Sequence, residues 1–376
     1  MVPDFSSWSG CAYSGCSVEK QRNEEDFPVF NALLNALHRG VRVTLLTNDY
    51  DEDPSNGELI SPATFLQAAG VDVRYFATVT FMHSKVVHVD ADEETEKLAV
   101  SSVNFSKSSM IKNREAGVLL YGRDAGEIFT FWKTVFQHDI DTAFTRAIPL
   151  YSAEDMAIIK DTSSLDVTLP EIGTFDGAYL PTPSPLEETD LDVTIFTSPD
   201  FAMQELTDYL DVARDNIKLF IYQINSMELT KQLIYVASQN VTVDILVSWN
   251  IYSEGDYNTS QPCYDMLDAT PNINLFMTAK EVFNYSHQKF WILDDNIVLV
   301  ATGNWSPSDY PVIPPVSFPP NSQDGWRKTN RDFTVVMQGG SGRVQQQYAE
   351  VFKRDMAMAS PWKSWDGSPP KPYGGW

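Results

Sequence analysis

An α/β fold of two pseudo-symmetric lobes, each an α/β sandwich, packed around one shared cleft, is the architecture that this sequence predicts. Three observations point to it. An eight-residue motif occurs twice, the segments flanking the two copies match in order, and strand-like runs alternate with helical ones at a regular rhythm through both halves.

The motif reads HSKVVHVD from His83 to Asp90 and HQKFWILD from His287 to Asp294, so histidine, lysine and aspartate recur at one internal spacing. Ahead of the copies, HRGVRVTLLTND resembles SQNVTVDILVSWN, each the end of a helix leading into a buried strand. FLQAAGVDVRYF and MLDATPNINLFM follow, each a short helix, a turn and a strand. Behind the copies, VSSVNFS parallels VATGNWS and NREAGVLLYG parallels NRDFTVVMQG. Helical patterns, AGEIFTFWKTVFQHD and GRVQQQYAEVFKRDM, close the two halves. Between them TLPEIGTFDGAYLPTPSPLEETD has prolines, glycines and acids without a period. The expected division is a first lobe over 1–161, a Pro-rich connector over 162–190 and a second lobe over 191–376.

The halves differ at their starts. FAMQELTDYLDVARDNIKLFIYQI supplies the second lobe with an opening helix and strand, whereas only about 27 residues precede FPVFNALLNALHRG in the first. Either the N-terminus is truncated, with a signal or anchor lost, or an irregular segment near FSSWSGCAYSGC replaces these elements.

Composition limits the partners. Acidic residues outnumber basic ones 51 to 27 in a chain of 376, and a net charge of -24 opposes broad binding to duplex nucleic acid or to a strongly anionic membrane. A zwitterionic lipid surface and a short single-strand end entering a basic pocket remain compatible. No run of roughly 18 apolar residues predicts a transmembrane helix, and MVPDFSSWSG lacks the layout of a signal peptide. Cys11, Cys16 and Cys263 have no zinc-binding spacing; Cys11 and Cys16 could pair or remain free thiols. Acceptor triplets at Asn240, Asn258 and Asn284 would suit glycosylation and hint at a secreted or endolysosomal protein. Oligomeric state is not legible.

Side chains two apart on a strand share a face, so His83 with Lys85, and His287 with Lys289, each present an imidazole beside an ammonium. Asp90 and Asp294 have the opposite parity and are assigned structural or supporting roles. His38, His88 and His138 fall on helix ends or the opposite face and read as structural, and Phe290, Trp291 and Ile292 as core. In YPVIPPVSFPPNSQDGW the prolines predict a stiff loop near the cleft, either a packed surface loop or a substrate lip offering Tyr310, Phe318 and Trp326.

The doubled HxK, four residues and Asp resemble the HKD signature of the phospholipase D superfamily, over nearly the whole chain from about residue 28 to the last helix. The resemblance implies a metal-independent phosphodiesterase with no cofactor. In that family a small-residue segment ending in asparagine follows each motif. Here these are Ser101-Ser102-Val103-Asn104, with Ser102 in a supporting role, and Ala301-Thr302-Gly303-Asn304. The first lies ten residues beyond its motif because of a charged insertion, ADEETEKLAV. An acid further on buttresses each histidine, and alignment along the chain gives Glu115 to His83 and Asp332 to His287, the shorter aspartate implying a weaker hold.

The lysines would neutralise phosphoryl oxygens and the asparagines donate to them, while one histidine attacks phosphorus and the other protonates the leaving oxygen. Family precedent favours His83 as nucleophile with His287 as acid and then base, although the sequence symmetry also allows the reverse. The expected substrate is a phospholipid phosphodiester at a membrane surface, hydrolysed or transferred to an alcohol. An exonuclease acting on single-stranded ends is the alternative, and a catalytically inactive interaction module is the reading from another class.

Overall fold

The computed structural model describes residues 17–23, 28–48, 62–76, 80–122, 125–148, 150–161, 186–251, 253–280, 282–312 and 329–364. Cys11, Cys16, Phe318, Trp326 and most of the connector lie outside them. Cys263 is a buried free thiol.

The second lobe is built on a mixed sheet. Its strands are β7 (Leu191–Ser198), β8 (Asn216–Ile221), β9 (Thr242–Val247), β10 (Ile273–Met277), β11 (Lys289–Leu293), β12 (Ile297–Ala301), β13 (Thr329–Gly339) and β14 (Ser360–Pro361). They lie in the order β14-β10-β9-β8-β11-β12-β13, and β7 pairs antiparallel with β13 over Asp332–Gly339. The helices α7 (Ala202–Val212), α8 (Met227–Ser238) and α9 (Glu254–Asp268) supply the crossovers, and α10 (Arg343–Ala357) follows β13. Ser226 and Ser253 start α8 and α9 by accepting amide hydrogens of Leu229 and Asp256, which satisfies first-turn donors that would otherwise go unpaired.

All five residues of β11 are buried, and the strand's alternation divides them between two cores. Trp291 and Leu293 face the helices of the second lobe, where Trp291 packs edge-on against Trp305. Phe290 and Ile292 face the first lobe.

The first lobe contains α1 (Val18–Asn23), α2 (Pro28–His38), β1 (Thr44–Asn48), α3 (Pro62–Ala69), β2 (Asp72–Phe76), β3 (Thr80–Met82), β4 (Val86–Val89), β5 (Lys97–Ser101), α4 (Lys107–Ile111), β6 (Gly117–Tyr121), α5 (Gly126–Thr142) and α6 (Ala153–Ile159). Among the described residues its strands fall into two pieces, a parallel β1-β2 pair and an antiparallel β4-β5-β6 sheet. The reason is visible by comparison with the other lobe. There β8 joins β9 to β11, but no described strand occupies that place between β1 and β4, the positions that match β9 and β11.

The lobes meet through their sheets. Val86, Leu98 and Val100 of the first lobe, with Phe129, Trp132 and Val135 of α5, share one apolar core with Phe290, Val298, Val300, Phe333 and Val335 of the second. Trp132 contacts Phe333 edge to face at 4.9 Å between ring centres. Burial of this shared apolar surface holds the lobes together. In addition β3, from the first half, pairs parallel with the start of β13, matching Thr80 with Thr329 and Met82 with Arg331. The fold is therefore α/β and two-lobed, with one strand crossing the boundary.

Candidate active site

Both motif histidines stand where one lobe's backbone is gripped by the other's. The His83 N–H donates to the Arg331 carbonyl at 3.1 Å, continuing the β3–β13 pairing. In the mirrored arrangement, the Arg114 N–H donates to the Tyr285 carbonyl at 2.9 Å and the His287 N–H to the Arg114 carbonyl at 2.8 Å. Each histidine is thereby placed beside the residue that follows an arginine in the opposite lobe: Asp332 after Arg331, Glu115 after Arg114.

The acids consequently pair across the lobes. His83 Nδ1 lies 3.0 Å from Asp332 Oδ1, and His287 Nδ1 lies 3.0 Å from Glu115 Oε2. This corrects the assignment of Glu115 to His83 and of Asp332 to His287. Alignment along the chain assigned each acid to its own lobe, whereas the backbone pairing carries it to the other. Nor does the shorter aspartate hold its partner at greater distance, since both contacts are 3.0 Å.

The acids are themselves oriented. Ser102 Oγ donates to Glu115 Oε2 at 2.6 Å, and Thr302 Oγ1 donates to Asp332 Oδ1 at 2.6 Å, so Ser102 and Thr302 occupy equivalent places. A Cβ at Gly303 would come within 2.8 Å of Asp332 Cγ, which explains why the close approach of this carboxylate coincides with a glycine. The matching position beside the longer Glu115 is Val103.

Lys85 and Lys289 are both fully buried. Lys85 Nζ donates to the His83 carbonyl, and Lys289 Nζ to the His287 carbonyl at 2.6 Å while lying 5.5 Å above the Tyr222 ring. Burial lowers the Lys289 ammonium well below its ordinary value, opposed by Glu115 and reinforced by Lys85. Lys85 also acts on His287, and Asp309 and Asp332 act on Lys289, so the two motifs share one electrostatic environment.

Asn104 and Asn304 sit half-buried on the turns after β5 and β12, and Asn304 Oδ1 has no hydrogen-bond partner among the described residues. Gln223 Oε1 and Asn225 Oδ1, beyond the end of β8 and beside the backbone of Trp305, are likewise buried without partners. Sequence reading missed them, because a lone amide at a strand end carries no motif.

Asp309 is the more important omission. Its Oδ1 lies 3.2 Å from His83 Nδ1 and accepts from Asn330 Nδ2 at 2.7 Å, while Ser306 Oγ donates to Oδ2 at 2.5 Å. The signal was present: in the matched pair NFSKSSM and NWSPSDY, Asp309 stands opposite Ser109. His83, Asp309 and Asp332 offer ligand atoms within 4.8 Å of one another, a donor set that could hold a metal ion. The hydrogen bond of His83 Nδ1 to Asp332 and its ion-pair contact with Asp309 also account for the cluster without one.

Asp90 lies exposed in a turn and accepts from Thr95 Oγ1 at 2.8 Å. Asp294 caps the start of β8, accepting amide hydrogens of Arg214, Asp215 and Asn216 at 2.8, 2.8 and 2.9 Å. Against the desolvation it suffers, these donors keep its carboxyl below the usual range. Neither aspartate faces the histidines.

Tyr310 is corrected from a substrate lip to core. It is 1% exposed, and its hydroxyl meets Thr334 Oγ1 at 3.0 Å. An aromatic ring does border the site, but it is Phe81, 40% exposed with its centre 6.1 Å from the His83 ring. His88 turns away and pairs with Glu96 at 2.8 Å. Asn240 and Asn258 are exposed, but Asn284 lies in a second-lobe segment that docks on the first lobe, its N–H donating to the Lys112 carbonyl at 2.9 Å.

No helix among the described residues is long and apolar enough to cross a membrane. No curated protein sequence is significantly similar to the chain. Among solved structures, phosphatidylserine synthase from Haemophilus influenzae is similar over 89% of this chain and 77% of its own, at 12% identity and a TM-score of 0.56. Polyphosphate kinase from Porphyromonas gingivalis is similar over 91% of this chain and 46% of its own, at 11% identity and a TM-score of 0.51. Nuc from Salmonella typhimurium, a phospholipase D family member, aligns with 46% of this chain at 16% identity and a TM-score of 0.37. The family model described as "Cardiolipin synthase, PLD-like domain" matches residues 18–140 and 206–356. With most of the chain under that match and both halves included, the chain belongs to the phospholipase D superfamily.

Proposed function

We propose that the chain is a phosphodiesterase that cleaves the headgroup ester of a phospholipid through a phosphohistidine, passing the phosphatidyl group to water or to an alcohol. One observation carries the reading: two imidazoles, each backed at Nδ1 by a buried carboxylate from the opposite lobe, share one electrostatic environment with two buried lysines. A carboxylate on Nδ1 fixes the ring tautomer and leaves Nε2 as the reacting nitrogen, as nucleophile on one ring and proton donor on the other. Lys85 and Lys289 supply the positive charge that a phosphoryl group needs as its bonds exchange, and the anion in turn favours the ammonium form of Lys289. Asn304, with an unpartnered buried oxygen, and Asn104 complete the polar lining. These groups perform the reaction without a divalent ion.

Three features favour a lipid. Phe81 places an exposed apolar ring beside His83, the net charge of -24 disfavours polyanions, and the fold resembles a phosphatidylserine synthase over most of the chain. The test is choline release from phosphatidylcholine vesicles by the purified protein in EDTA, alongside trimming of a labelled single-stranded oligonucleotide. Choline release, diverted to a phosphatidyl alcohol when a primary alcohol is added, is expected. Trimming alone would reassign the chain to the nucleases of the superfamily, and a folded protein inactive on both would indicate a noncatalytic module.

A further inference from the structure

The two halves of the site are not equivalent, and the difference is Asp309. At the matching position of the first lobe, Ser109 Oγ accepts from Asn113 Nδ2 at 3.2 Å, and the same amide donates to Glu115 Oε1 at 3.1 Å. One carboxylate and a neutral hydroxyl–amide pair therefore stand behind His287. Two carboxylates stand behind His83, Asp332 at 3.0 Å and Asp309 at 3.2 Å.

We infer that Asp309 divides the labour between the histidines, making His83 the proton donor and His287 the nucleophile. The inference rests on the phosphodiesterase reading and runs opposite to the order implied by family precedent. Around His83 the facing charged groups are Lys85 on its own segment, Asp332 on β13 and Asp309 on the turn after β12, with the Phe81 ring alongside. Around His287 they are Glu115 from the first lobe, Lys289 on its own strand and Lys85, with the Tyr222 ring T-shaped against the imidazole at 5.1 Å between ring centres. Burial and Lys85 oppose charge on His83, but Asp332 and Asp309 together outweigh them and hold the imidazole above its ordinary value. For His287 burial prevails over Glu115, and with Lys289 and Lys85 adding to it the ring is pushed down to about 4. Asp309 stays ionised beside His83, whereas burial and the charge of Asp309 raise Asp332.

At neutral pH this leaves His287 with Nδ1–H donated to Glu115 and a lone pair on Nε2. That lone pair attacks phosphorus; an N–P bond forms as the P–O bond to the leaving group breaks, and the Nε2 proton of His83 passes to the departing oxygen. His83, now neutral, takes a proton from water as the water oxygen attacks phosphorus. The N–P bond then breaks, the electron pair returns to His287, and the protonated state of His83 is restored.

Bis(4-nitrophenyl) phosphate separates the roles, because nitrophenolate leaves without a proton. With His83→Ala, a burst of about one equivalent of nitrophenol and a stable phosphoryl adduct mapped by mass spectrometry to His287 are expected. His287→Ala should give neither. An adduct on His83 in His287→Ala, with none in His83→Ala, would overturn the inference. Wild-type protein that does not hydrolyse the ester would instead refute the phosphodiesterase reading itself. Asp309→Ser, which installs the first lobe's residue, provides the second measurement. Loss of a carboxylate lowers the pH at which His83 becomes a base, so the acid limb of steady-state turnover should move down by about one pH unit. A uniform loss of rate with the limb unmoved would mean that Asp309 only supports the fold.

Discussion

Arg331→Met tests the crossed architecture most directly. The guanidinium is 1% exposed, donates to Asp139 Oδ1 on α5 of the first lobe at 2.9 Å, and also to Asp200 Oδ2 and the Ser198 carbonyl at 2.8 and 3.1 Å. Its removal strands two carboxylates that are 3% and 5% exposed. Breaking a buried pair costs about 3–5 kcal/mol. Twice that is not expected, because burial already raises Asp139 despite Arg331, so protonation of this one acid relieves the repulsion. With a urea slope of about 1–3 kcal/mol per molar, the denaturation midpoint should fall by at least about 1 M. Arg354→Met is the control, since its pair with Glu350 is exposed and four residues away on one helix; about 0.3–0.5 kcal/mol is expected. Adding Asp139→Asn and Asp200→Asn to Arg331→Met should restore much of the loss by removing the stranded charge. If Arg331→Met costs no more than Arg354→Met, the buried arginine does not lock the lobes.

Two further outcomes follow from the site. Gly303→Ala should lower kcat more than tenfold with little change in KM, because the added carbon meets Asp332 at 2.8 Å and must displace the carboxylate behind His83; a rate within twofold of wild type would show that Asp332 need not stay there. In pH-dependent unfolding, His287, depressed from 6.5 to about 4, makes the folded chain hold fewer protons between those values. Its contribution to stability is present above pH 6.5 and lost as pH falls toward 4. His287→Gln should flatten that part of the curve, and an unchanged slope in a folded variant would contradict the depression.

Much of this molecule was readable in its sequence because its information is local and repeated. The HxK parity, the buried strands and the small-residue turn ending at Asn304 each follow from spacing within about a dozen residues. The pairing of acids with histidines does not, since His83 meets Asp332 across 249 positions, and no periodicity encodes which lobe's backbone grips which. Tyr310 was misplaced because the prolines after it marked a loop, whereas its own hydroxyl finds Thr334 in the core. The arginines were in plain view as NRE and NRD, and their partners as the aspartates ending VFQHD and VFKRD. Arg114 reaches Asp355 at 3.0 Å as Arg331 reaches Asp139, a second exchange that becomes legible only in three dimensions.

The parallel run of β3 along β13 also bears on how this chain comes to be reactive. Neither lobe folded alone has a complete acid–histidine pair, for each imidazole obtains its carboxylate only when its backbone docks on the neighbour. The first half by itself therefore holds an imidazole without its carboxylate, and the contact that completes the pair closes a separation of 249 residues.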